Sequence, residues 1–198
     1  MQLTDLKVRV SAADVDERRQ PGESPRDMTR RLALAKAKAV TGESGLVLGA
    51  DTVVVDGDKV LGKPTDSADA RRMLEDLRGR SHQVVTSIVL FNPQTGAELI
   101  DTCESNVPMR QYSDTDLDAY LASGNPMDKA GAYGIQDKEF MPVDVDQLQD
   151  CYANVMGLPL CHVARNLPLA PLEHVPAACQ SYTGYQCPIY SDVLEGKL

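Results

Sequence analysis

Residues 46–55, LVLGADTVVV, constrain the chain more than any other stretch. The run is rich in β-branched residues, has no helical period and is apolar at both odd and even positions, so it reads as a strand covered on both faces. Asp56-Gly57 supplies a hairpin turn, and KVLGKP (59–64) supplies the return strand. A strand of this kind requires layers on both sides of a sheet. Asp51 stands in the middle of it. A carboxylate buried without compensation costs several kcal/mol, so it has to meet a metal, a cation or strong donors. The alternative is a bulge at Gly49 that lets backbone N–H groups satisfy Asp51.

The surrounding elements alternate in type. Residues 7–15 open with apolar alternation and predict a first strand. Ser24, Pro25 and Asp27 mark a helix start, and the helix carries Met28, Leu32, Ala35 and Ala39 at one-face spacing. Asp66 or Ser67 begins a second helix, with Ala70, Met73, Leu74 and Leu77 inward and Gly79 as its stop. SHQVVTSIVLFN is a strand, and AELIDTCESNVPMR one or two more. Ser113 with Asp116 caps a third helix, and Gly157-Leu158-Pro159 opens a last one. The expected fold class is therefore α/β, or α+β, around a mixed sheet flanked by helices. Residues 168–198 are Pro- and Cys-bearing with weak periodicity, and they read as a C-terminal tail to a domain over 1–167.

Composition narrows the function. A net charge of -9 argues against a groove for a nucleic acid polymer, which needs clustered Lys and Arg. A small phosphate-bearing ligand remains compatible if local lysines and a divalent cation offset the charge. No apolar run reaches the roughly 20 residues needed to span a bilayer, so no membrane partner is expected. Met1 is not followed by a basic stretch and an apolar core, which gives no sign of an export signal. Five scattered cysteines fit neither a disulfide framework nor a zinc spacing, so reduced thiols and a cytoplasmic location are expected.

Lys63 sits across the hairpin from the Asp51 strand, and Pro64 stiffens the exit beside it. Lys36 follows Leu32 by one helical turn and flanks the apolar face. Each lysine, taken alone, reads first as a solvated side chain with its stem on the core edge. Glu17 ends DVDE (14–17) and, with Asp51, offers carboxylate oxygens to a hard divalent cation; a solvated acidic loop is the other reading. DKAGAYGIQ (128–136) contains two glycines that imply close backbone approach or positive φ, or simply a tight loop. Gln136 at its end carries an amide that both donates and accepts, as reading a base edge requires.

Taken in order, DVDE, RLALAKAKAV (31–40), GADTVVVDGDKVLGKP (49–64), DARRMLEDLRGRSHQVVT (69–86), YLASGNPMDKAGAYGIQ (120–136) and NVMGLPL (154–160) resemble the Maf family of nucleoside triphosphate pyrophosphatases. The resemblance spans about residues 7–167. It implies a twisted mixed sheet with a cleft, related to the inosine triphosphate pyrophosphatase fold. It also implies hydrolysis to a monophosphate and diphosphate with a divalent metal, Mg²⁺ or Mn²⁺, and a homodimer is common in the family. It implies Asp51 as proton acceptor, with Lys36, Lys63 and Glu17 at positions that handle phosphate and metal. Thr52 and Gln136 fall on positions tied to substrate choice, with Lys129 beside them on the substrate side. GADT and AYGIQ resemble the dTTP/UTP-hydrolysing branch rather than the one acting on 7-methyl-GTP.

One departure stands out. The family opens with a Ser-x-Ser-Pro-Arg-Arg phosphate loop, and nothing before DVDE resembles it. The SPRD at 24–27 lies after DVDE and caps a helix. The expectation is a true start upstream of Met1. The alternative is a non-catalytic nucleotide-binding or division-linked regulatory module that lost this loop.

Overall fold

The computed structural model describes residues 8–40, 42, 45–167 and 172–198. Its elements in chain order are α1 (Pro25–Ala39), β1 (Val47–Asp56), β2 (Lys59–Leu61), α2 (Ser67–Leu77), β3 (Ser81–Phe91), β4 (Glu98–Pro108), α3 (Asp114–Ala122), α4 (Tyr152–Val155), α5 (Leu160–Asn166), α6 (Val175–Thr183) and α7 (Tyr190–Leu194). Short 3₁₀ turns cover Asn125–Asp128, Ala130–Ala132 and Leu172–His174. The result is an α/β fold: one open sheet of order β2-β1-β3-β4 with helices on its faces.

Every described strand pair is antiparallel, where a mixed sheet was expected. The directions explain this. The α2 crossover does join two strands that run the same way, β2 and β3, but β1 lies between them and opposes both. The first expected strand is also missing: residues 8–15 form no strand, and Val8 and Val10 are 81% and 93% exposed. Alternating valines do not make a strand without a neighbour to take their backbone hydrogen bonds.

β1 alternates strictly between two cores. Val53 and Val55 pack with Met28 and Leu32 of α1, and Val47 packs with Ala33 and Ala37. Val54 points the other way, into a larger core with Ala70, Leu74 and Leu77 of α2 and Leu117 and Tyr120 of α3. The buried stripe of α1 is Met28, Thr29, Leu32, Ala33 and Ala37, so Ala35 and Ala39 lie off the face expected for them. Ser24 caps this helix, its hydroxyl accepting from Asp27 N–H at 3.1 Å.

Gly49 has a different reason to be there from the bulge first considered. The β1–β3 register runs unbroken from Val47↔Phe91 to Val55↔Gln83. A Cβ at Gly49 would lie 2.3 Å from the Ala33 carbonyl oxygen and 2.9 Å from Ala37 Cβ. The missing side chain therefore lets α1 lie directly on β1, which brings Lys36 over the strand that holds Asp51.

Residues 172–198 carry structure that weak periodicity did not suggest. Val175 and Val193 are buried together with Cys161 and Ala164 of α5. α6 and α7 thus close over the end of the preceding domain.

Candidate active site

Asp51 lies on the α1 face of β1, with 7% of its surface exposed. Its Oδ1 accepts from Lys36 Nζ at 2.6 Å. The same ammonium lies 2.7 Å from Glu17 Oε1. Asp51 Oδ2 is buried and has no hydrogen-bond partner among the described residues. Burial pushes the Asp51 carboxyl above the usual carboxylate range, and the Lys36 hydrogen bond only partly offsets this. For Lys36, burial alone would lower the pKa, but the bonds to Asp51 and Glu17 outweigh it and hold the ammonium charged.

The position of Asp51 in the sheet matters as much as its burial. β2 pairs with β1 only at Val54, Val55 and Asp56, whereas β3 pairs along its other side from Val47. Among the described residues, the β2-side edge of β1 is therefore unpaired from Val47 to Val53. A ligand lying along this edge can reach side chains on both faces.

Thr52 points to the opposite face from Asp51, as successive strand residues must. Its hydroxyl is 2.9 Å from Thr86 Oγ1 and 3.5 Å from the Gly157 carbonyl. There it lines a cleft of about 260 Å³ together with Lys63, Asp128, Lys129, Gln136 and Gly157. Lys63 is not on the return strand: β2 ends at Leu61, and Lys63 lies in the bend that follows. It is exposed and forms no ion pair with any described residue. Lys129 is held differently, with Nζ donating to the Asn125 carbonyl at 2.6 Å and to Asp128 Oδ1 at 2.8 Å. Gln136 is exposed at the cleft mouth.

The expected site residues thus form two groups. Glu17, Lys36 and Asp51 meet on one face of β1, while Thr52, Lys63, Lys129 and Gln136 share the cleft on the other. Between them lies the edge of β1 that no described strand covers.

Among the described residues, no cluster of three His, Cys, Asp or Glu has the arrangement of a metal site. Two carboxylates suffice for a hard divalent cation when substrate phosphates complete its shell. Glu17 and Asp51 fit that requirement: one oxygen of Asp51 is unpartnered, and Glu17 is 57% exposed.

Sequence reasoning passed over two supporting residues. Asn154 is fully buried and donates from Nδ2 to the Val84 carbonyl at 3.0 Å and to Ser105 Oγ at 2.9 Å. It ties the start of NVMGLPL to β3 and β4, which fixes Gly157 beside Thr52. His82 is buried, with Nε2 2.7 Å from the Tyr133 hydroxyl, and burial lowers its pKa to about 4, so it stays neutral behind the cleft. A polar residue inside an apolar run is the one signal that marks Asn154. His162, one of the scattered Cys and His residues, pairs with Asp101 at 3.2 Å beside Arg165.

The profile of a family described as Maf-like protein matches residues 1–169. The chain belongs to the Maf family. Three relatives named dTTP/UTP pyrophosphatase are similar to it over most of their length. The protein of Geotalea uraniireducens is 43% identical over 161 residues, which cover 80% of this chain and 81% of its own. That of Anaeromyxobacter dehalogenans is 44% identical, with the same shares of 80% and 81%. That of Geobacter sulfurreducens is 42% identical, covering 80% of this chain and 83% of its own. The Maf match takes in β1–β4 and every expected site residue; α6 and α7 lie beyond it.

Proposed function

We propose that this Maf protein hydrolyses nucleoside triphosphates, dTTP and UTP, between the α and β phosphates, releasing the monophosphate and diphosphate. The observation that carries the reading is Asp51: a buried carboxylate with one oxygen unpartnered among the described residues, on a strand edge that no described strand covers and whose opposite face opens into a lysine-bearing cleft.

Attack on a phosphoanhydride needs an oriented water and positive charge where negative charge gathers. Asp51 Oδ2 accepts a hydrogen bond from the attacking water and takes its proton as the new P–O bond forms and the bridging P–O bond between the α and β phosphates breaks, releasing the diphosphate. Lys36 keeps that carboxylate ionised and aimed. Lys63, which forms no ion pair with a described residue, and Lys129 face the phosphate chain from the cleft. A Mg²⁺ or Mn²⁺ ion held by Glu17 and Asp51 would add counter-charge on the phosphates. Thr52 and Gln136 address the sugar and base, and a site that hydrogen-bonds a base edge rejects a base that leaves those groups unpaired.

The substrate is a free nucleotide, which accords with a chain of net charge -9. No helix among the described residues is long and apolar enough to cross a membrane, and we place the activity in the cytoplasm, where nucleotide pools lie. The test is diphosphate release from a nucleotide panel with Mg²⁺ or Mn²⁺. Equal yields of monophosphate and diphosphate from dTTP and UTP are expected. A folded protein that turns over no nucleotide would overturn the proposal in favour of a binding module.

A further inference from the structure

A second cavity, of about 660 Å³, adjoins the cleft and shares Gln136 and Met156 with it as a common wall. Its far wall comes from Tyr182, Gly184 and Tyr185, in the segment beyond the Maf match. We propose that this cavity receives the nucleobase, and that Tyr182 stacks on it as a specificity-determining residue supplied by the C-terminal segment. The inference rests on the proposed nucleotide substrate.

Three observations support it. First, the wall is rigid and aromatic. Tyr152 and Tyr185 have ring centroids 5.7 Å apart, and both hydroxyls are tied to backbone: Tyr152 to the Ile135 carbonyl at 3.1 Å and Tyr185 to the Leu148 carbonyl at 2.5 Å. Such a wall suits a flat ring. Second, charges in the lining balance. Arg110 and Lys138 stand with Asp144 and Asp146, which favours a neutral polar ring over a polyanion. The cleft across Gln136, with Lys63 and Lys129 in its lining, is the better place for phosphate. Third, two large side chains border the cavity without cover. Tyr182 is 78% exposed and Met141 52%. Met141 also holds a φ of 45°, a conformation that a side-chain-bearing residue rarely adopts and that is found disproportionately at ligand clamps.

The experiment is calorimetric binding of the two products, dTMP and pyrophosphate, to the full chain, which needs no turnover. Base–aromatic stacking predicts that Tyr182→Ala weakens dTMP about tenfold. Pyrophosphate affinity should stay within about twofold, and Tyr182→Phe should bind dTMP like wild type, because stacking needs the ring and not the hydroxyl. Unchanged dTMP affinity in Tyr182→Ala, or equal weakening of both products, overturns the inference. A chain that binds dTMP in this Tyr182-dependent way but hydrolyses nothing would sink the hydrolase reading and leave the subsite standing. A chain that hydrolyses dTTP with dTMP affinity indifferent to Tyr182 would do the reverse.

Discussion

Asp51→Asn is expected to lower kcat/KM for dTTP and UTP by about 10²–10⁴-fold, the range that a positioned general base contributes. The amide fills the same volume but cannot take a proton. Stability should move in the opposite direction. Asp51 is pushed above its unfolded pKa by burial, so between those two values the native state binds more protons than the unfolded chain. Stability therefore falls as pH rises through that window, and at neutral pH the ionised carboxylate is a net cost. Asn removes the cost, so thermal unfolding of Asp51→Asn at pH 7 should occur at or above the wild-type temperature. A variant less active and no less stable separates a functional carboxylate from a structural one. Wild-type rates in Asp51→Asn would remove Asp51 from the mechanism.

Lys36→Met tests the other half of the pair. Lys36 is the main group that draws the Asp51 pKa down against burial, with a smaller pull from Arg31, and its ammonium is shared with Glu17. Without it, the Asp51 carboxyl moves up further and binds a proton more readily. Because activity requires the ionised form, the acid limb of the pH–rate profile should shift to higher pH. At pH 7 the loss in kcat/KM should reach about 10²-fold, within the general-base range, and part of it should return on raising the pH. An acid limb that stays in place while activity falls would mean that Lys36 acts on substrate alone and does not tune Asp51.

Much of this site is legible in the primary structure because its local signals agree. The run at 46–55 specifies β1, Asp56-Gly57 turns the hairpin, and Ser24 with Asp27 starts α1 where the chain starts it. The one-turn spacing of Lys36 from Leu32 places its amine at the edge of the apolar face, within reach of Asp51. What could not be read depends on neighbours distant in sequence. Residues 8–15 have a strand's pattern and no strand, because pairing and not pattern decides. The open edge of β1 follows from β2 stopping at Leu61, and nothing in KVLGKP announces that stop before Lys63. Period-two alternation alone places Asp51 and Thr52 on opposite faces, yet a motif read as a string groups them. α6 did leave signals, Pro176 in its first turn and Gly184 at its end, but no large aliphatic residue between them sets a period.

The position of the phosphate chain relative to β1 decides the role of Asp51. The most direct measurement is a crystal structure of the full chain with Mg²⁺ and α,β-methylene-UTP, whose bridging carbon resists cleavage. The prediction is a triphosphate lying along the unpaired edge at residues 47–53, with Asp51 on one side and Lys63 and Lys129 on the other. A nucleotide bound away from that edge, with Asp51 still engaged only by Lys36, would contradict it.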